Sequence, residues 1–249
     1  MRILLSNDDG LLALGLQAAW EALNQAGHTV IACAPDRERS ASSQRVTLRS
    51  PIFVTETQTP NGLGYATDGT PADSVRLGYQ MFSPIDLVVS GINNDTNLGY
   101  DINYSGTVGA ALEAAAGGYL SLAFSIEKKE PFNWKYAGKL VTHIISLVPQ
   151  WELPKGVVLN INIPHNITEK TLAFVPPQRT PASEDFTITQ ISPGVSEYLR
   201  VRDSPPEILD NDADVYYFKK GFVTVSPINP VGGRPELLQH LKLTPALIP

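Results

Sequence analysis

Cysteine is almost absent from this sequence, and so are long apolar runs. Cys33 is the only cysteine among the 249 residues, and a single thiol cannot form a disulfide within the chain. No apolar stretch approaches the roughly 18 residues that cross a membrane, and the N-terminal residues lack the pattern of a signal peptide. We therefore expect a cytoplasmic protein that has no membrane partner.

An excess of positive charge is also lacking. The chain carries 19 Lys and Arg against 25 Asp and Glu, which gives a formal net charge of -6. A protein that grips long nucleic acid needs a basic surface to neutralise the phosphates, so this partner is not expected. An acidic protein that handles phosphate must instead recruit positive charge locally, from a metal ion, a few basic side chains or helix N-termini.

Strand and helix patterns alternate along the first 165 residues. Residues 2–6 form a short apolar run typical of a strand buried on both faces, and residues 14–26 repeat apolar side chains near a helical period. Further helices are predicted at 71–82, 105–118 and 133–148, and further strands at 29–34, 85–90, 121–126 and 156–163. This alternation predicts an α/β fold with a mostly parallel sheet and helices packed on its faces.

The composition changes after Pro164. Residues 165–249 hold 11 of the 20 prolines and show strand-like fragments near 185–191, 196–201, 214–219 and 221–226. We interpret the chain as a core over residues 1–165 and a β-rich extension over residues 166–249. The extension is predicted to form antiparallel hairpins, which either cover the core or reach a neighbouring subunit as an arm.

Three polar loops follow predicted strands and carry oxygen-bearing side chains. The first holds Asp8 and Asp9, the second Ser40, and the third Asn93, Asn94, Asp95 and Asn97. Loops at the carboxyl ends of parallel strands meet at one crevice, and hard oxygen ligands suit Mg²⁺ or Mn²⁺. Two adjacent carboxylates repel each other unless a cation neutralises them. The alternative is that these residues only form turns, helix caps and a polar surface loop.

A fourth candidate segment lies at the start of the small-residue helix. Ser105, Gly106 and Thr107 are suited to cap that helix, and the free N–H groups of a helix start also bind phosphate. The sequence has four histidines but no His-Glu-x-x-His and no paired Cys-x-x-Cys, so a zinc site of the usual nitrogen and sulfur type is not expected.

Several ordered sequence blocks together resemble the SurE family, the survival-protein-E nucleotidases. The blocks are NDDGLLALGL (7–16), APDRERSASS (34–43), GTPADSV (69–75), VVSGIN (88–93), NLG (97–99), YSGTVGAALEA (104–114) and LNINIP (159–164). The resemblance implies a Rossmann-like core and a metal-dependent phosphatase that acts on nucleoside 5′- and 3′-monophosphates. It further implies one divalent cation per subunit, Mg²⁺ or Mn²⁺.

The resemblance also assigns roles to individual residues. It implies that Asp8, Asp9, Ser40 and Asn93 hold the metal. It places Asn97 and the segment Ser105, Gly106 and Thr107 on the phosphate side of the site. Asp8 and Asp9 are the catalytic candidates, with Asp9 preferred as the base that deprotonates water. The family also implies a homodimer, or a tetramer of dimers, with an exchanged arm drawn from roughly residues 185–249.

The C-terminal region departs from the family pattern. Members of the family carry an Asp and a His after a Thr-Pro-Leu-like turn, whereas this chain has no Asp after Pro227, and His240 lies further along. This departure leaves open an alternative, a nucleotide- or metal-binding module with little turnover. An aspartyl-phosphate mechanism would need two Asp separated by one residue, and no Gly-x-Gly-x-x-Gly follows the first strand as in a dinucleotide-binding oxidoreductase.

Overall fold

The computed structural model describes residues 1–131, 133–168, 171–180, 185–201 and 206–230. The helices in these residues are α1 (Leu14–Gln25), α2 (Pro71–Phe82), α3 (Gly106–Ala116), α4 (Trp134–Leu147) and α5 (Asp214–Lys219). The strands are β1 (Arg2–Ser6), β2 (Thr29–Pro35), β3 (Val54–Thr59), β4 (Gly62–Thr67), β5 (Leu87–Asn93), β6 (Ser121–Ile126), β7 (Val158–Ile163), β8 (Leu172–Phe174), β9 (Asp185–Ser192), β10 (Val195–Val201) and β11 (Val223–Ile228). Helix α2 and strand β6 begin and end where the sequence predicted.

A nine-stranded sheet forms the centre of the molecule. Its order is β3-β4-β2-β1-β5-β6-β7-β11-β8, and the pairs from β4 through β2, β1, β5 and β6 to β7 are all parallel. Only the pairing of β3 with β4 and that of β11 with β7 are antiparallel in this sheet. The predicted α/β fold with a mostly parallel sheet is therefore confirmed.

Helices cover both faces of this sheet and make three layers. In β1, Ile3 and Leu5 pack with the residues of α1 and α4, while Leu4 faces the other way and packs with Val75 of α2 and Ala110 of α3. Because successive side chains of a strand point to opposite faces, an apolar run such as β1 supplies both layers at once. None of the described helices is long and apolar enough to cross a membrane.

The chain beyond residue 165 contributes to the same sheet. Strand β11 pairs antiparallel with β7 and parallel with β8, so both strands extend the core sheet at one edge. Strands β9 and β10 form a separate antiparallel hairpin, which confirms the predicted C-terminal hairpin. The predicted strand at 214–219 is wrong, since these residues form helix α5. Val215 and Phe218, three residues apart, pack against Leu98, which is a helical spacing.

The sequence did not predict the strands β3 and β4. They form an antiparallel hairpin at the end of the sheet, and most of their side chains are at least partly exposed. Threonine and glycine recur along them and Glu56 adds a charge, so their apolar signal is weak. His240, the histidine of the C-terminal region noted above, lies outside the described residues.

Candidate functional site

The sheet order brings the predicted loops to one edge. Strands β2, β1, β5 and β6 are neighbours and run parallel, so the loops that follow them meet beyond their carboxyl ends. A pocket of about 350 Å³ lies there. Five of the eight residues predicted for the site line it: Asp8, Ser40, Asn93, Asn97 and Ser105.

The turn that carries the paired carboxylates is built by its flanking residues. The Asn7 side chain bridges the turn: its amide nitrogen donates to the Gly10 carbonyl at 3.0 Å, and its oxygen accepts from the Gly10 N–H at 3.1 Å. Gly10 has a φ of 106°, a conformation that residues with a Cβ rarely adopt. The sequence Asn-Asp-Asp-Gly therefore fixes the turn and presents Asp8 and Asp9 beyond the strand.

Asp8 is buried against the start of helix α3. The Thr107 hydroxyl donates to Asp8 Oδ1, and the backbone N–H groups of Thr107 and Gly106 also donate to the Asp8 carboxyl. Burial raises the pKa of Asp8 above its ordinary value, and these hydrogen bonds lower it in part. The helix start thus stabilises a buried negative charge, as expected from its free N–H groups and dipole.

Gly106 is required for this close approach. A Cβ at this position would lie 2.6 Å from Ser42 Oγ and 2.7 Å from Asp8 Oδ2, closer than van der Waals contact allows. Gly106 and Thr107 are therefore in contact with Asp8 and lie behind the pocket wall. The backbone N–H groups of Gly106 and Thr107 donate to this carboxylate. Contact of either residue with a phosphate remains a prediction.

Asp9 has the more perturbed ionisation of the pair. Burial raises its pKa to about 7, with further increases from the negative charges of Asp8 and Glu38. A hydrogen bond from the Asn94 backbone N–H and the positive charge of Lys128 act in the opposite direction. Two adjacent carboxylates in this environment repel each other, which is the situation that a bound cation relieves.

Ser40 and Asn93 bring uncharged oxygens to the same pocket. The Ser40 hydroxyl donates to Glu38 Oε1 at 2.7 Å, and the Asn93 amide nitrogen donates to the Asp95 carbonyl at 2.6 Å. The amide oxygen is therefore the atom that Asn93 can offer to a cation. Among the described residues, no group of three or more His, Cys, Asp and Glu side chains is arranged to hold a metal ion. A metal site here would thus need these uncharged donors beside the two Asp.

Asn97 is held by side chains from two strands of the sheet. Its amide nitrogen donates to Ser125 Oγ of β6 at 2.7 Å, and its backbone N–H donates to Asn162 Oδ1 of β7 at 2.7 Å. The Asn97 carbonyl accepts from the amide nitrogens of Asn160 at 2.7 Å and Asn162 at 3.1 Å. Asn160 and Asn162, two asparagines in the otherwise apolar strand β7, were the sequence signal for this arrangement.

A residue of the C-terminal region fixes the loop that follows Asn97. Asp214, at the start of α5, is fully buried and accepts hydrogen bonds from the backbone N–H groups of Gly99 and Val215 at 2.8 Å and of Gln178 at 2.9 Å. Burial raises the pKa of Asp214 to about 6, and the three donors oppose this increase. The extension after residue 165 is therefore attached directly to a loop of the pocket.

The resemblance in the sequence motifs extends over most of the chain. Residues 3–184 match the family described as Survival protein SurE. The chain belongs to this family. A protein named 5′-nucleotidase SurE 1 from Thermus thermophilus is 38% identical over 234 residues, which cover 92% of each chain. One named 5′-nucleotidase SurE from Solidesulfovibrio magneticus is 39% identical over 233 residues, 92% of this chain and 91% of that protein.

The fold of this SurE-family chain also matches a solved structure of the family. The crystal structure of the SurE protein from Aquifex aeolicus superposes with a TM-score of 0.79 at 29% sequence identity, covering 97% of this chain and 98% of that one. The shared architecture therefore includes the C-terminal strands as well as the parallel core.

Sequence reasoning did not identify several other residues of the pocket wall. Glu38, Asp101, Tyr104 and Lys128 line the pocket together with the predicted residues. Glu38 lies two residues before Ser40 in the polar loop after β2, and Lys128 follows β6, whose end was predicted correctly. Charged residues just beyond the carboxyl ends of parallel strands were the signal that would have found both.

Proposed function

We propose that this chain is a phosphatase that hydrolyses nucleoside 5′- and 3′-monophosphates to nucleoside and phosphate. The observation that carries the proposal is the pocket at the carboxyl edge of the sheet, which Asp8 lines together with the neutral donors of Asn93 and Asn97, while Asp9 follows Asp8 in the same turn. The relatives named 5′-nucleotidase support the same reaction. The alternative of a binding module with little turnover has no support from these relatives.

The side chains present fit one divalent cation. Asp8, Asp9, Ser40 and Asn93 are all hard oxygen donors, the type that Mg²⁺ and Mn²⁺ prefer. Burial raises the pKa of both carboxyls, which shows that their negative charges are costly here, and a bound cation would offset this cost. When bound, such an ion polarises a phosphoryl oxygen and lowers the pKa of a coordinated water.

The chain's own residues supply the proton acceptor, the phosphate contact and the groups that orient Asp8. Asp9, which follows Asp8 in the turn after β1, is the residue that we propose accepts a proton from the attacking water. Asn97 binds a phosphoryl oxygen, because its amide is fixed by Ser125 and its backbone by Asn162. Thr107 and Gly106 orient Asp8, in addition to the phosphate contact that the sequence predicts for them.

The test is a phosphatase assay on a panel of nucleoside monophosphates. We expect EDTA to abolish activity and Mg²⁺ or Mn²⁺ to restore it. Asp9→Asn should lower kcat by at least about 100-fold, since it removes both a metal ligand and the proposed base. Asp212→Asn, which changes an exposed carboxylate, is the matched control and should leave kcat unchanged. Full activity in chelator, or a folded Asp9→Asn enzyme with most of its activity, would refute the proposal.

We also propose that the chain acts as a homodimer, or a tetramer of dimers, in which the β9–β10 hairpin contacts another subunit. The hairpin carries large apolar side chains that are about half exposed or more: Phe186, Ile188, Ile191, Tyr198 and Leu199. A two-stranded hairpin is marginally stable by itself in water, and an exposed apolar patch of this kind is typical of an interaction surface. Helix α5 and strand β11, by contrast, pack on the chain's own core.

A further inference from the structure

Successive residues of the segment that follows β6, Glu127 to Lys129, line two different pockets. Glu127 Oε2 accepts from the His165 backbone N–H at 2.8 Å, and its own N–H donates to the Ile163 carbonyl at 2.9 Å, so the backbone here is held by the end of β7. Glu127 and Lys129 line a separate pocket of about 230 Å³. Lys128, between them, lines the pocket that contains Asp8.

The charge balance of the Asp8 pocket makes this lysine significant. Four carboxylate side chains line the pocket: Asp8, Glu38, Asp95 and Asp101. Among its described lining residues, Lys128 is the only one with a cationic side chain. A phosphate monoester carries nearly two negative charges at neutral pH. A cationic side chain in the pocket lining would therefore favour its binding.

The Lys128 ammonium is available for this purpose. No carboxylate in the described part of the chain lies within ion-pair distance of it, whereas the Arg76 guanidinium is paired with Glu113 at 2.6 Å. Lys128 is also exposed, so its side chain can reorient towards a ligand.

We propose that Lys128 binds the substrate's phosphate group, with its ammonium donating to a phosphoryl oxygen on the side away from the paired aspartates. This inference rests on the proposed phosphatase function and adds a residue that the sequence motifs did not include. A lysine supplies a point charge on a flexible stem, which suits a phosphate that must both enter and leave. Lys128 would thus supply positive charge to a phosphate in the pocket whose other residues would hold the cation.

The experiment compares Lys128→Gln with Lys129→Gln, because the two lysines are adjacent but line different pockets. With AMP and Mg²⁺, we expect Lys128→Gln to lower kcat/KM by about 10- to 100-fold, the value of a hydrogen bond to a charged group, and Lys129→Gln to change it less than about twofold. The affinity for inorganic phosphate, measured by calorimetry, should fall by a similar factor in Lys128→Gln. Lys128→Arg, which keeps the charge, should recover part of both losses.

Three outcomes would overturn the assignment. One is equal behaviour of Lys128→Gln and Lys129→Gln in phosphate affinity. Another is a loss of Mn²⁺ affinity in Lys128→Gln as large as the loss of phosphate affinity, which would indicate a general disturbance of the site. The third is a lowered melting temperature that accounts for the lost activity. If the wild-type protein proved inactive, the proposed function would fail, but calorimetry with phosphate would still decide the role of Lys128.

Discussion

Replacement of Thr107 by Val tests whether the start of α3 positions Asp8 for metal binding. Thr107 is fully buried, and its hydroxyl donates to the Asp8 carboxyl, itself only 4% exposed. Valine has nearly the same shape, so the substitution removes the hydroxyl without opening a cavity. The matched control is Thr107→Ser, which keeps the hydroxyl and removes only a methyl group.

The expected magnitude follows from the charge and burial of the acceptor. A hydrogen bond to a charged group contributes about 1.5–3 kcal/mol, and a buried carboxylate that loses its donor cannot replace it with bulk water. Substitution of a residue that orients a metal ligand typically weakens metal affinity or activity by about 10- to 100-fold. We therefore expect Thr107→Val to weaken Mn²⁺ binding by about 10-fold or more and to lower kcat/KM for a nucleoside monophosphate by a similar factor.

Calorimetric titration with Mn²⁺ at constant pH gives the affinity, and a phosphate-release assay at saturating metal separates kcat from KM. Saturating metal should restore most of the activity of Thr107→Val if the hydroxyl acts mainly through Asp8. Thr107→Ser should remain within a fewfold of the wild-type affinity. The reasoning is refuted if Thr107→Val binds Mn²⁺ as tightly as the wild type, or if only KM rises while metal affinity is unchanged, since that pattern would indicate direct phosphate contact.

Two further predictions concern the C-terminal region. Because the folded state raises the pKa of Asp214 from 3.8 to about 6, this group contributes stability below about pH 4 that is lost as the pH rises through 6. Denaturant unfolding should therefore show the wild type losing up to about 3 kcal/mol relative to Asp214→Asn over this range, and parallel pH profiles would contradict the assignment. Light scattering at micromolar concentration should give a dimer or tetramer, with Ile188→Asp and Leu199→Asp in the hairpin shifting it to smaller species. A stable, fully active wild-type monomer would disprove the proposed assembly.

The elements near the site were largely predictable because their signals are local. The apolar run of β1, the Asn-Asp-Asp-Gly turn and the Thr70-Pro71 start of α2 each determine their own conformation. In α2, Thr70 accepts from the Asp73 N–H at 3.1 Å while Asp73 accepts from the Thr70 N–H at 3.0 Å, a reciprocal cap that is readable from sequence.

The roles of individual side chains were less predictable because they depend on packing between distant segments. Ser105, Gly106 and Thr107 were predicted to face phosphate, which stays a prediction. The sequence did not indicate that Gly106 and Thr107 also contact Asp8, which lies 99 residues before Thr107. The aromatic run at 214–219 favoured a strand by local preference, and the contact of Val215 with Leu98 makes it a helix instead. Lys128 belongs to none of the sequence motifs, and it reaches the pocket only because of the order of the strands in the sheet.

The bond between Asp214 and Gly99 has a consequence for how the protein is synthesised. The parallel strands and every predicted metal ligand lie in the first part of the chain, which leaves the ribosome first. N-terminal segments generally begin to fold before the rest is made. The acceptor of the Gly99 N–H emerges 115 residues after its donor. The loop that carries Asn97 and Gly99 is thus completed only when most of the chain has been made, so a nascent or truncated polypeptide lacks a finished pocket.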